Sequence, residues 1–144
     1  MLLNFILGLA VVGITVVIQA YGTDFWFSRL KTFESKLTRE KIGRPSARIL
    51  IFTSFFLITM HLIQSGIWAG LYFLIPSVDE FESFEKAIYF SLVTFTTLGY
   101  GDITIDSSSR ILAGLEAING IMLIGWSTAF MFSVYQTLMK KKLS

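Results

Sequence analysis

Thr96-Thr97-Leu98-Gly99-Tyr100-Gly101-Asp102 separates an apolar segment, Phe84 to Phe95, from the long apolar run that begins at Arg110. Two glycines bracketing a tyrosine, with threonines ahead and an aspartate behind, are poor helix material. The backbone is therefore expected to leave regular structure here. The surrounding chain of 144 residues is 53% hydrophobic and only 15% charged, with a mean hydropathy of +0.66, a balance that belongs to membrane proteins. Non-helical backbone at membrane depth survives only when buried in protein or lining a water-filled path, because an unsatisfied peptide group in hydrocarbon is too costly. That requirement points to a pore.

Outward from this stretch, the segments sort by length. Phe84 to Phe95 has 12 residues, about 18 Å of helix, too short to cross and suited to entering the membrane and stopping. Arg110 to Met139 is long enough for a full span and ends at Lys140, Lys141 and Lys142. Ala47 to Ile75 is an apolar run of about 43 Å if helical, longer than the hydrocarbon and so expected to tilt. Ser77 with Glu80 has capping-box spacing for a new short helix, and the serines 107 to 109 can cap the last one. Met1 to Ala20 is almost uninterruptedly apolar, with Asn4 and Gln19 near its ends. A retained first span is expected rather than a cleaved signal peptide, since no basic n-region precedes it and Ile18 with Ala20 makes only half of a small-x-small site.

Between the first two spans, residues 22–48 carry seven basic side chains against Asp24, Glu34 and Glu40, a net +4. Trp26, Leu30, Phe33 and Leu37 recur at helical spacing. The segment reads as an amphipathic helix in the interface, its basic face toward anionic lipid headgroups, ended by Gly43 and Pro45. A solvated linker is the plainer alternative. The expected organisation is thus a first transmembrane helix (1–21), a basic interfacial segment (22–46), a pore module (47–139) and a basic tail (140–144). Within the module lie an outer helix (47–75), a short helix (84–95), the glycine-containing loop (96–102) and an inner helix (110–139).

Ten of the twelve Lys and Arg residues lie in the linker and at the C-terminal end, whereas the region between the second and last spans holds six acids and only Lys86 and Arg110. Positive-inside sorting then places linker and C-terminus in the cytoplasm and the N-terminus and loop outside. An acidic outer mouth would concentrate cations.

The order of outer helix, short re-entrant helix, Thr-Thr-Leu-Gly-Tyr-Gly-Asp and inner helix resembles the pore module of tetrameric potassium channels over roughly Ala47 to Tyr135. The resemblance implies an all-α integral membrane fold with three transmembrane helices, one re-entrant pore helix and a selectivity-filter loop, assembled as a homotetrameric pore. It also implies that the carbonyls of Thr97, Leu98, Gly99 and Tyr100, with the Thr97 hydroxyl, replace the hydration shell of K⁺, and that Gly101 completes the filter. Glycines accept the φ values that let successive carbonyls point the same way. Leu98 stands where the family has valine, and its side chain is expected to pack away from the axis. Tyr89 and Phe90 occupy positions where some bacterial channels place two tryptophans. Tyr89 is expected either to hydrogen-bond Asp102, holding the outer end of the filter with Thr96, or to pack in an aromatic cuff. Val93 replaces a glutamate that pairs with the aspartate in certain channels, so gating through a carboxylate pair is not expected.

On the inner helix, Gly120 matches the family's hinge glycine, with a hinge and a close-packing role both open. At 100° per residue, Ala117, Ile121, Ile124, Thr128, Phe132 and Tyr135 share a face assigned to the cavity and inner mouth. Phe132 is the candidate apolar gate, with an ordinary interhelical contact as the alternative. Glu116 and Asn119 lie on the opposite face, and an ionisable group inside a membrane is a functional candidate by default. Asn119 lies about 13 Å below Arg110 along its helix, and Gln64 with Ser65 about 16 Å below Ile75, so the two sets can meet. Glu116, higher up, can reach the back of the short helix near Ser91 or Thr94. Such a cluster holds helices together or senses something. His61, the only histidine, is either a pH sensor or a neutral hydrogen-bonded residue of the outer helix.

The leading expectation is a K⁺-selective channel with K⁺ as permeant ion and no cofactor, no nucleic-acid partner and no small-molecule substrate. A non-conducting regulatory or structural subunit of a related channel, or a poorly selective cation channel, are the alternatives. An enzyme is disfavoured: without cysteine there is no thiol chemistry, and one histidine outside any convergent polar set leaves little from which to build an active site. No helix carries arginine at every third position, which speaks against a voltage sensor. The few residues after the last span leave no room within this sequence for a cytoplasmic ligand-binding domain.

Overall fold

The computed structural model describes residues 2–39, 45–75, 81–105 and 109–143. Four helices form: α1 (Leu2–Arg39), α2 (Pro45–Leu74), α3 (Phe84–Phe95) and α4 (Arg110–Leu143), with no strand among the described residues. Three of them are long and apolar enough to cross a membrane, over Leu2–Leu30, Ala47–Leu74 and Arg110–Lys140. The fold is therefore all-α, three spans and one short helix.

The first helix departs from the expectation. No break separates residues 21 and 22, and α1 continues without interruption to Arg39. As far as Arg39, the basic segment is thus a direct extension of the first span rather than a separate helix lying in the interface. Local bonding explains the continuity. The Thr23 hydroxyl donates back to the Gln19 and Ala20 carbonyls at 2.8 and 3.1 Å, so a residue that often leaves a helix is satisfied inside it. Trp26 stacks on Phe56 with ring centroids 4.4 Å apart and donates its Nε1 to Thr53 Oγ1 at 3.0 Å, which fixes this part of α1 against α2. Pro45 opens α2, a position where its missing N–H costs nothing.

At the other end, α4 runs to Leu143, so the basic residues from Lys140 continue the helix. The expected Gly43 stop, the Ser77–Glu80 cap and the serines 107 and 108 lie outside the described residues. Instead, Ser83 caps α3: its hydroxyl accepts from the Lys86 amide at 3.3 Å. Lys86 Nζ also pairs with Glu82 at 2.5 Å, and this hydrogen bond holds the Glu82 carboxyl below its ordinary range. At its other end, Thr96 Oγ1 donates to the Leu92 carbonyl at 2.7 Å.

Packing puts α3 inside the protein. Its residues Ala87, Phe90 and Phe95 join Trp68, Ala69 and Tyr72 of α2, Leu112 and Leu123 of α4 and Val11 of α1 in one core. Tyr72 meets Phe90 edge to face at 5.2 Å, and Phe81 closes the cluster at 5.3 Å from Phe90. A smaller cluster of Ile49, Val134 and Leu138 joins the opposite ends of α2 and α4. The short helix is thereby held between α2 and α4 with its C-terminal end at the 96–102 loop.

Candidate ion path

The loop begins as α3 ends. The amide of Thr97 donates to the Thr94 carbonyl at 2.9 Å, and those of Leu98 and Gly99 donate to the Val93 carbonyl at 2.9 and 3.3 Å. The N–H side of the first loop residues is thus committed to the last turn of α3. Thr97, Gly99 and Gly101 have φ of 60°, 56° and 77°, while Leu98 and Tyr100 between them do not enter this left-handed region. Thr97 is the sole non-glycine residue with positive φ among the described residues. Such a conformation costs an L-residue about 1–2 kcal/mol, a local strain of the kind that persists at functional sites. Leu98 and Tyr100 are exposed in the single chain, at 56% and 66%.

Behind the loop lies a cavity of about 380 Å³ that brings together Tyr89, Phe90, Val93, Gly99, Gly101 and Asp102. Tyr89 Oη donates to Asp102 Oδ2 at 2.8 Å, and this acceptor raises the phenol above its ordinary value. Phe90 and Val93 are buried, and Val93 carries no partner for the aspartate.

Along α4, Ile121, Ile124, Phe132 and Tyr135 are exposed in the single chain. Ile124, Thr128, Phe132 and Tyr135 line a groove of about 670 Å³ between α4 and α2, together with His61; Ile121 does not line it. His61 Nδ1 is 3.0 Å from Gln64 Oε1, and its ring lies 5.8 Å from that of Phe95 at the base of α3. Gly120 lies on the α3 side: a Cβ there would overlap the backbone carbonyl of Phe95. Close approach accounts for this glycine, and α4 passes through it without a break.

The intramembrane polar residues fall into two networks. Glu116, fully buried, bonds Tyr72 Oη through Oε2 at 2.7 Å and Ser91 Oγ through Oε1. Asn119 and Gln64 do not meet each other; both turn to α1. Asn119 Nδ2 donates to Thr15 Oγ1 at 2.8 Å, and Gln64 Nε2 donates to Gln19 Oε1 at 3.0 Å. Gln19 Nε2 continues to Ser127 Oγ at 2.9 Å, and Asn4 Nδ2 reaches Ser109 Oγ at 2.9 Å. Asn4, Gly8, Val11, Thr15, Gln19 and Thr23 are all buried and recur every three or four residues, so one face of α1 is a polar and small-residue seam against α4 and α2. Sequence reading missed this seam, although its spacing was a visible signal. It also missed Tyr72, whose phenol in an apolar helix needed a partner.

Interhelical hydrogen bonds in a membrane are individually modest, about 0.6 kcal/mol on average and at most about 1.7. Gln19→Leu removes bonds to both Ser127 and Gln64 and is expected to destabilise the fold by about 1 kcal/mol, read from the unfolding midpoint in detergent. An unchanged midpoint would show that α1 is not held by this seam.

The ion channel family model matches residues 48–137, more than half of the chain. Mouse voltage-gated potassium channel regulatory subunit KCNG3 is 29% identical over 83% of this chain and 29% of its own length. The calcium-gated potassium channel TvoK of Thermoplasma volcanium is 38% identical over 35% of this chain and 15% of its own. The chain thus spans less than a third of the length of the curated relatives it matches. No solved structure matches it significantly. A family match that runs through α2, α3, the loop and nearly all of α4 covers every element around the candidate path, and on it the chain belongs to the ion channel family, with potassium channel proteins as its relatives.

Proposed function

We propose that the chain forms a K⁺-selective channel in which four identical copies surround one pore, with residues 97–101 of each supplying a quarter of the filter. The observation that carries this reading is the left-handed φ at Thr97, Gly99 and Gly101. Alternating handedness is the backbone arrangement in which successive carbonyls turn to the same side, and the loop's first amides are already used on α3. A row of carbonyls can replace the water around a weakly hydrated cation. The negative end of α3's dipole adds a modest preference for a cation below the filter.

Assembly follows from exposure. A non-helical loop with Leu98 and Tyr100 uncovered leaves its backbone open to an apolar bilayer unless other protein covers it. One loop per chain implies cyclic repetition, and a fourfold axis places the α4 face of Ile121, Ile124, Thr128, Phe132 and Tyr135 around the cavity and inner mouth. Phe132 is the apolar constriction of this reading. The N-terminus and loop lie outside, the basic segments of residues 29–48 and 140–142 in the cytoplasm against anionic lipid, and K⁺ is the only ligand required.

The mouse relative's name favours a second reading, a regulatory subunit that does not conduct alone. One experiment separates the two. Purified chain reconstituted into vesicles is expected to form tetramers and to pass K⁺ far faster than Na⁺. Equal fluxes of the two ions would overturn selectivity, and tetramers without flux would favour the regulatory reading.

A further inference from the structure

We propose that Glu116 is a positioning residue that acts as a neutral acid, donating its carboxyl proton to Ser91 and so fixing α3, and the loop that α3 carries, between α2 and α4. The inference rests on the pore reading for its consequence in flux, but the proton assignment stands on geometry alone.

Counting hydrogens makes the assignment. Glu116, Tyr72 and Ser91 are fully buried and Ser65 nearly so. Tyr72 Oη donates its one hydrogen to Glu116 Oε2 at 2.7 Å. Ser91 Oγ has two close partners, the Ser65 carbonyl at 2.7 Å and Glu116 Oε1. A carbonyl can only accept, so Ser91's single hydrogen is needed there. Were Glu116 ionised, that hydrogen would have to serve two acceptors, and one of the two contacts would set lone pair against lone pair. With the proton on Glu116 Oε1, each contact holds one hydrogen: Tyr72 to Oε2, Oε1–H to Ser91, Ser91 to the Ser65 carbonyl. The chain links α4 to α3 and both to α2.

The charges around the site agree. On α2 the titratable group in contact is Tyr72, and His61 bonds Gln64. On α3, Lys86 pairs with Glu82 and Tyr89 bonds Asp102, while Glu85 lies six residues from Ser91, about 9 Å along the axis. On α4, Arg110 Nε is bonded to the Ile105 carbonyl at 2.9 Å, and α1 has no ionisable side chain between Leu2 and Ala20. A buried carboxylate without a cation is strongly disfavoured, whereas a neutral, fully hydrogen-bonded carboxyl is not.

The neutral form holds α3 between α2 and α4. Ser91 lies five residues before Thr96, so its displacement passes directly to the loop.

The test uses the full chain in vesicles and two readouts. Infrared spectra at neutral pH are expected to show a protonated carboxyl band in the wild type that is missing from Glu116→Gln. The Gln amide can donate to Ser91 and accept from Tyr72, so this variant is expected to keep K⁺ flux within about threefold. Glu116→Ala leaves buried partners unpaired and is expected to lose roughly tenfold. Absence of the band, or a Glu116→Gln variant as impaired as Glu116→Ala, overturns the proposal. Failure of the wild type to conduct would count against the pore reading, with the band still deciding the proton.

Discussion

Gly101→Ala is expected to abolish K⁺ flux, by at least about 100-fold, while leaving the protein folded and inserted. The reasoning begins with backbone geometry. Gly101 has φ of +77°, and a Cβ built on it meets nothing within 4 Å in the single chain. The penalty is therefore conformational, not a clash: an L-residue held there costs about 1–2 kcal/mol. In the proposed ring of four copies this amounts to about 4–8 kcal/mol, which the loop can relieve by turning its backbone into the right-handed region. Doing so redirects a carbonyl and breaks the row. The helices need not respond, because the core of Trp68, Tyr72, Phe90 and Leu112 does not include the loop. Circular dichroism and oligomer size should match the wild type when flux is lost. Gly99→Ala, at φ of +56° and also with open space around it, should behave in the same way. Full flux in both variants would remove the alternating backbone as the basis of conduction. Thr97 shows that such strain is borne at one non-glycine position, with φ of 60°, and the glycines are what prevent it from recurring twice more.

How far the sequence disclosed this arrangement depends on the range of the interactions involved. Helix number and class were legible because hydrophobic length is a local property: three long apolar runs and one of 12 residues became three spans and α3. The bond from Tyr89 to Asp102 was also within reach, since a chain that leaves a short helix must pass back beside it within a few residues. The shared face of Thr128, Phe132 and Tyr135 followed from helical periodicity, although nothing local indicated that His61 lines the same groove. Where partners lie far apart in sequence, reading failed. Asn119 and Gln64 read as able to meet, but they bond Thr15 and Gln19 of α1 instead. Those contacts join residues 104 and 45 positions apart, and no local pattern reports which helix fills the space. A separate helix was expected over residues 22–46, whereas α1 is continuous as far as Arg39: Thr23 bonds its own helix and Gly22 faces the Met60 side chain of α2. Tertiary packing overrode local preference there.

Gly120→Ala is expected to have the largest effect on folding of any single methyl added to the chain, several times that of losing a seam hydrogen bond. The added Cβ would fall on the carbonyl carbon and oxygen of Phe95. These are backbone atoms at the last turn of α3, so no rotamer change can make room. Overpacking typically costs about 1–3 kcal/mol even where side chains can shift, and here the helices are tied on both sides of the contact. Glu116 binds Ser91 one turn above, and Asn119 binds Thr15 beside it. Moving α4 outward to admit the methyl group would stretch both. Destabilisation of about 3 kcal/mol or more is expected, read as a lowered unfolding midpoint and poor recovery of folded protein. The same helix provides the control. Gly114 has open space around its would-be Cβ, so Gly114→Ala should be neutral or stabilising by about 0.5–1 kcal/mol through helix propensity alone. The pair of variants also separates the two roles of Gly120. A glycine needed only for bending would leave assembly intact when replaced by alanine and would alter opening. A glycine needed for contact would fail at assembly, before any gate is tested. The position of the Phe95 carbonyl favours the second outcome, and with it a path whose base is held rigidly by α4 while the loop above it carries the strain.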